Sequence, residues 1–93
     1  MTKQRANYLY KFTGSIQKKN QRKNPNYTQH YYQLKVDLEG HSHPQKFFAF
    51  QNKTKPTIWN SLEADTYIGK KYLFSCRNYQ GSYCLIDWEE LKD

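Results

Sequence analysis

Lys3, Arg5, Lys11, Lys18, Lys19, Arg22, Lys23 and Lys35 are eight cations that all precede the first acid of the chain, Asp37. Tyr8, Tyr10, Tyr27, Tyr31 and Tyr32 are interleaved with them. Positive charge draws in a polyanion without reading its sequence, and flat rings give unpaired bases a surface to stack on. The chemistry that fits this pattern is contact with a single-stranded nucleic acid. A solvated basic surface over a tyrosine-rich sheet is the plainer alternative.

Other chemistries find little support. The chain has no phosphate-cradling glycine loop, no nucleophile elbow and no paired carboxylates on one face, so no enzyme is expected. His41 and His43 stand two apart in a turn, far from His30, without a second pair at finger spacing. No metal and no cofactor is expected. Cys76 and Cys84 are too few for a disulfide scaffold and read as two small buried hydrophobes.

The elements that must position these residues are expected to belong to one domain, 1–93, because 93 residues leave little for a second. So short a chain hides about 60% of its unfolded surface, and its core must be dense in large side chains. Five Phe, nine Tyr and two Trp meet that need. Asp87, Glu89, Glu90 and Asp93 cluster late, so the net charge of +7 is asymmetric, with one binding side and one solvated side. No apolar run has transmembrane length, and no membrane insertion is expected. The opening Met1-Thr2-Lys3-Gln4-Arg5-Ala6 has no apolar signal core, which suggests a protein that works where it is made.

Alternation of period two recurs along the chain. Tyr8, Tyr10, Phe12 and Ile16 share one face of a first strand, with a bulge or bend expected at Gly14. Residues 17–26 contain no hydrophobic side chain and read as a long basic loop. In the second strand Tyr32, Leu34, Val36 and Leu38 point one way, and Tyr31, Gln33, Lys35 and Asp37 the other. Residues 46–50 form a third strand. Pro56 then opens a short helix over 57–65, with Ile58, Trp59 and Leu62 on its apolar edge. The last two strands run over 72–77 and 83–88. Asn78-Tyr79-Gln80-Gly81 fits a three-residue hairpin loop with Gly81 left-handed, which sets Cys76 against Cys84, Phe74 against Ile86 and Tyr72 against Trp88 on the core face. The expected architecture is all-β, a five-stranded OB-fold barrel with one short helix between strands 3 and 4. An SH3-like barrel is the alternative.

Two stretches add a resemblance. Tyr10-Lys11-Phe12-Thr13-Gly14-Ser15-Ile16 looks like the first strand of single-stranded-DNA-binding proteins. Gly81-Ser82-Tyr83-Cys84-Leu85-Ile86-Asp87-Trp88-Glu89-Glu90-Leu91 resembles the last strand of the small proteins of that family encoded in algal plastids and cyanobacteria. The order of elements is similar throughout. The chain departs from the bacterial pattern in having no Gly/Gln/Pro-rich tail with an acidic tip. The resemblance implies an OB-fold that binds single-stranded DNA or RNA in a plastid stroma or bacterial cytoplasm, in the service of DNA replication.

The candidate contacts follow from the elements. Lys18, Lys19, Arg22 and Lys23 belong to the loop that clasps a bound strand in OB-folds, and Arg77 and Tyr79 flank the second clasping loop. Tyr31, Lys35 and Phe47 are placed on the outer face and Lys11 on the outer side of the first strand, and Lys46, at the start of the third strand, is a further candidate contact. Tyr8, Tyr10, Tyr32, Phe48, Phe50, Tyr72, Phe74, Ile86 and Trp88 are assigned to the core. The expected partner is single-stranded DNA before RNA, bound with low sequence specificity, with a homo-oligomer or assembly partner left open. The rival reading is a structural RNA-binding or protein-interaction subunit of an organellar ribosome or nucleic-acid-processing assembly.

Overall fold

Tyr32, Leu34, Val36 and Leu38 alternate strictly with polar residues, and in the computed structural model all four are buried in a closed barrel. The structure describes residues 8–23 and 30–92; Lys3, Arg5, Tyr27 and residues 24–26 lie outside the described residues. The elements are β1 (Tyr10–Lys23), β2 (His30–Leu38), β3 (Gln45–Ala49), α1 (Pro56–Ala64), β4 (Lys71–Tyr79) and β5 (Ser82–Leu91). Around the barrel the order is β1-β2-β3-β5-β4, with β4 closing onto β1. The pairing is antiparallel except between β3 and β5. This is the OB-fold, with its helix between β3 and β4.

The expected loop over 17–26 is corrected. Residues 17–23 continue β1 and pair with β2 from Lys18↔Lys35 to Lys23↔His30. A bulge at Gln17 separates this part from the Ile16↔Val36 pairing. The absence of apolar residues is therefore not the mark of a turn: Lys19 and Gln21 stand opposite the core residues Leu34 and Tyr32 as polar members of a strand. Gly14, where the bulge was expected, instead pairs with both Leu38 and Tyr72. A Cβ there would collide with the Asp37 carbonyl oxygen, so the barrel's corner requires glycine.

Three further assignments change. Tyr8 and Tyr10 are exposed at the barrel mouth, where Tyr10 meets Tyr83 edge-on at 5.6 Å. Phe47 is 0% exposed and packs against Phe74 at 5.5 Å, while Phe48 and Phe50 are only half-buried. The last hairpin turns through two residues, with Tyr79↔Ser82 as its final pair. Gln80 and Gly81 both have positive φ (53° and 90°), as a type I′ turn needs. The shorter turn pairs Cys76 with Leu85 and Arg77 with Cys84. A second bulge between Ser75 and Cys76 then sets Phe74 opposite Trp88 and Tyr72 opposite Glu90, in place of the expected Ile86 and Trp88. Cys84 is thus on the outer side and Leu85 in the core, the reverse of the expected faces. Ile86 is taken up by the bulge and is half-buried.

α1 begins with Pro56, whose missing N–H is no loss in a first turn. It buries Ile58, Trp59 and Leu62 under the barrel and ends at Asp65 in the left-handed region (φ 58°). The link from β3 to α1 is tied to β5 through Thr54, whose Oγ1 donates to the Leu85 carbonyl at 2.6 Å.

Candidate nucleic-acid interface

Antiparallel pairing sets side chains of paired residues on the same face, so the registers build the outer surface of β1, β2 and β3 row by row. One row is Lys18, Lys35 and Lys46, three exposed cations directly opposite one another. The next is Asn20, Gln33 and Phe48, which continues through Cys84 to Arg77. The third pairs Arg22 with Tyr31, whose ring stacks on Phe50 at 5.2 Å and 29°. Tyr31 also lies 6.3 Å from Phe48. Lysines therefore form one margin, and the rings of Phe48, Tyr31 and Phe50 stand in the middle and at the other margin, with Arg22 beside Tyr31.

Like charges placed opposite each other in a sheet oppose folding. Among the described residues Lys18, Lys35 and Lys46 form no ion pair, whereas Lys19, Lys55, Lys70 and Lys71 each pair with an acid. The acids so used are Asp65, Asp87, Glu90 and Glu39. These acids lie at the helix end, in β5 and in the turn after β2, while exposed Asp37, two residues from Lys35 on β2, offsets part of the row's field.

Tyr79, at the turn from β4 to β5, is 44% exposed, with Lys53 Nζ 5.2 Å from its ring centroid. With Arg77 half-buried in β4, these residues extend the surface toward the last hairpin. Lys53 arrives from the link after β3, a contributor that spacing alone did not single out. Cys84 lies between Phe48 and Arg77 and is 2% exposed. Burial raises its thiol pKa to about 11, against the opposing pull of Lys53 and Arg77. Burial raises that of Cys76, on the inner side, further still.

Of the expected contacts, Lys18, Arg22, Tyr31, Lys35 and Lys46 come together on this face, with Arg77 and Tyr79 beyond it. Lys23 is exposed at the end of β1, across from His30. Three others do not join. Phe47 is core. Lys11 donates to Ser75 Oγ at 3.0 Å on the β1–β4 ladder. Lys19 turns to the helix end, where it donates to the Leu62 carbonyl at 2.6 Å and to Asp65 at 2.7 Å. Its hydrogen bond holds the Asp65 carboxyl below its ordinary range. Lys19 also lies over the Tyr32 ring at 4.8 Å. It is a structural tie between β1 and α1.

Phe48 and Phe50 are the site residues the sequence reading missed. The signal was in Lys46, which must face water, because period two puts Phe48 and Phe50 on its side.

A groove of about 600 Å³ at the barrel corner, lined by Gly14–Ile16, Asp37–Glu39 and Gly69–Lys71, carries both signs of charge and pairs Lys71 with Glu39 across it. It offers a polyanion no net attraction. No protein-family model matches the chain, and no curated protein matches it significantly.

Proposed function

We propose that this protein is a non-catalytic module that binds single-stranded nucleic acid, DNA before RNA, across the outer face of β1, β2 and β3. The observation that supports the reading best is the lysine row, without an ion pair among the described residues, alongside Tyr31, Phe48 and Phe50. Phosphates would meet Lys18, Lys35 and Lys46, and bases would stack on the rings. Stacking accepts any base, and phosphate contacts carry no sequence information, so specificity is low. A duplex keeps its bases stacked on one another and cannot use the aromatic half of the face.

The test is fluorescence anisotropy with labelled single-stranded DNA, single-stranded RNA and duplex of equal length, each at two salt concentrations. The expected order is single strands above duplex, DNA at least equal to RNA, with affinity falling as salt rises. Preference for duplex or for folded RNA would instead favour a structural role in an RNA-rich assembly and overturn this reading.

A further inference from the structure

We propose that the β2–β3 face also reads one chemical feature of a bound base, favouring keto bases (thymine, uracil, guanine) over amino bases (cytosine, adenine). The inference rests on the single-strand reading above and names which bases that face prefers. It comes from the state of one amide, that of Gln33.

Gln33 and Phe48 are Cα partners, so their Cβ atoms stand about 4.5–5.5 Å apart on the same face. A base stacked on the Phe48 ring extends its polar edge over Gln33. A free glutamine amide reads nothing, because it can turn either its oxygen or its NH₂ group to whatever arrives. This one is fixed, because Arg22 Nε lies 3.2 Å from Gln33 Oε1. The Nε–H of a guanidinium only donates, so the amide oxygen must face Arg22 and the NH₂ group is the end left for a ligand. The remaining guanidinium nitrogens of Arg22 are also donors only.

Beside Phe48, Gln33 and Arg22 therefore present donors alone. Uracil and thymine O4 and guanine O6 accept from such donors. Cytosine N4 and adenine N6 set a donor against a donor. Asn20, across from Gln33 on β1, can rotate to suit either class and does not discriminate. Lys35, two residues along β2, adds only a further donor. Asp37, the acceptor on this face of β2, is four residues from Gln33, about 13 Å along the strand and out of reach of the same base.

The cleanest probe is a pair of ligands alike in ring size and differing chiefly in the group at C4. Short oligodeoxyuridylate and oligodeoxycytidylate of equal length would be titrated against the full chain at neutral pH. Uridylate is expected to bind about five-fold more tightly, the equivalent of one net hydrogen bond. Gln33→Leu, which keeps apolar area beside Phe48 and removes the donors, should bring that ratio close to one by weakening uridylate binding. Arg22→Ala should also lower the ratio, because the released amide can turn its oxygen to cytosine. Equal binding of the two oligomers by the natural chain, or preference for cytidylate, would overturn the inference and leave the single-strand reading standing. So would a uridylate preference that survives Gln33→Leu. Binding of neither oligomer would overturn the single-strand reading, and this inference with it.

Discussion

At the scale of the residue, the proposed face would set a cost in folding against a gain in binding. The row Lys18–Lys35–Lys46 sets like charges opposite one another, an arrangement that costs a sheet a few tenths of a kcal/mol per pair. Lys35 is the middle member and meets both neighbours. Lys35→Ala should therefore raise the melting temperature slightly while weakening single-strand binding. With one phosphate no longer neutralised, the log–log salt slope should fall by roughly 0.7. Calorimetry and a salt titration on the same variant check both halves; a lower melting temperature with unaltered binding would refute the role given to the row. Phe47 and Phe48 are neighbours with opposite duties. Phe47→Ala empties a core site and should destabilise by about 3–5 kcal/mol. Phe48→Ala should instead weaken binding by about 1–3 kcal/mol for a stacked base, with a much smaller loss of stability. The same variant uncovers its neighbour in the β3–β5 register, Cys84. Both thiols should resist alkylation in the folded natural chain. In folded Phe48→Ala, Cys84 should become reactive while Cys76, on the inner side, stays protected.

At the scale of the element, much of the architecture was legible in the sequence. The alternation in β2 fixed its faces, Pro56 marked the start of α1, and the order of strands and helix led to the barrel. Failures occurred where alternation carries no information. Phe47-Phe48-Ala49-Phe50 is apolar on both faces, so only the flanking Lys46 could have set its parity. In β5 a bulge changes parity midway, so a face assigned correctly at Trp88 was wrong at Cys84. Residues 17–23 lack an apolar face although Lys19 and Gln21 pair with the core residues Leu34 and Tyr32, and hydrophobicity cannot tell such a strand from a loop. Lys18, Lys19, Arg22 and Lys23 were thus assigned to a clasping loop and stand instead in β1. The final hairpin is where turn chemistry can be tested. Gln80 and Gly81 both hold positive φ. Gln80→Asn should stabilise the protein modestly, because Asn tolerates that region far better than Gln. Gly81→Val should destabilise it, because a β-branched residue is strained there. Equal melting temperatures for all three proteins would argue against the two-residue turn and the register that depends on it.

For the whole molecule, charge is sorted between two regions of the barrel. The outer face of β1–β3 carries Lys18, Lys35 and Lys46 without an ion pair among the described residues, and the helix end uses a cation internally, with Lys19 bridging from β1 to Leu62 and Asp65 of the α1 terminus. The separation gives the two regions different responses to pH. Lys19 holds the Asp65 carboxyl below its ordinary value, so the folded state favours the ionised form. A group whose folded pKa is depressed adds stability above its unfolded pKa, near 4 for a carboxylate, and loses it as pH falls through the folded value. The tie should therefore be fully present at neutral pH and fade only in acid. Asp65 sits in the left-handed region, which Asn also accepts, so Asp65→Asn removes the charge without straining the backbone. Its melting temperature should lie below that of the natural protein at pH 7, and the two curves should converge as pH drops below the carboxylate range. Single-strand affinity at pH 7 should not fall in the same variant, because Lys19 faces the helix and the net charge rises by one. A variant that lost both stability and affinity would join the two regions into one, and would return Lys19 to the binding surface from which its contacts with Leu62 and Asp65 remove it.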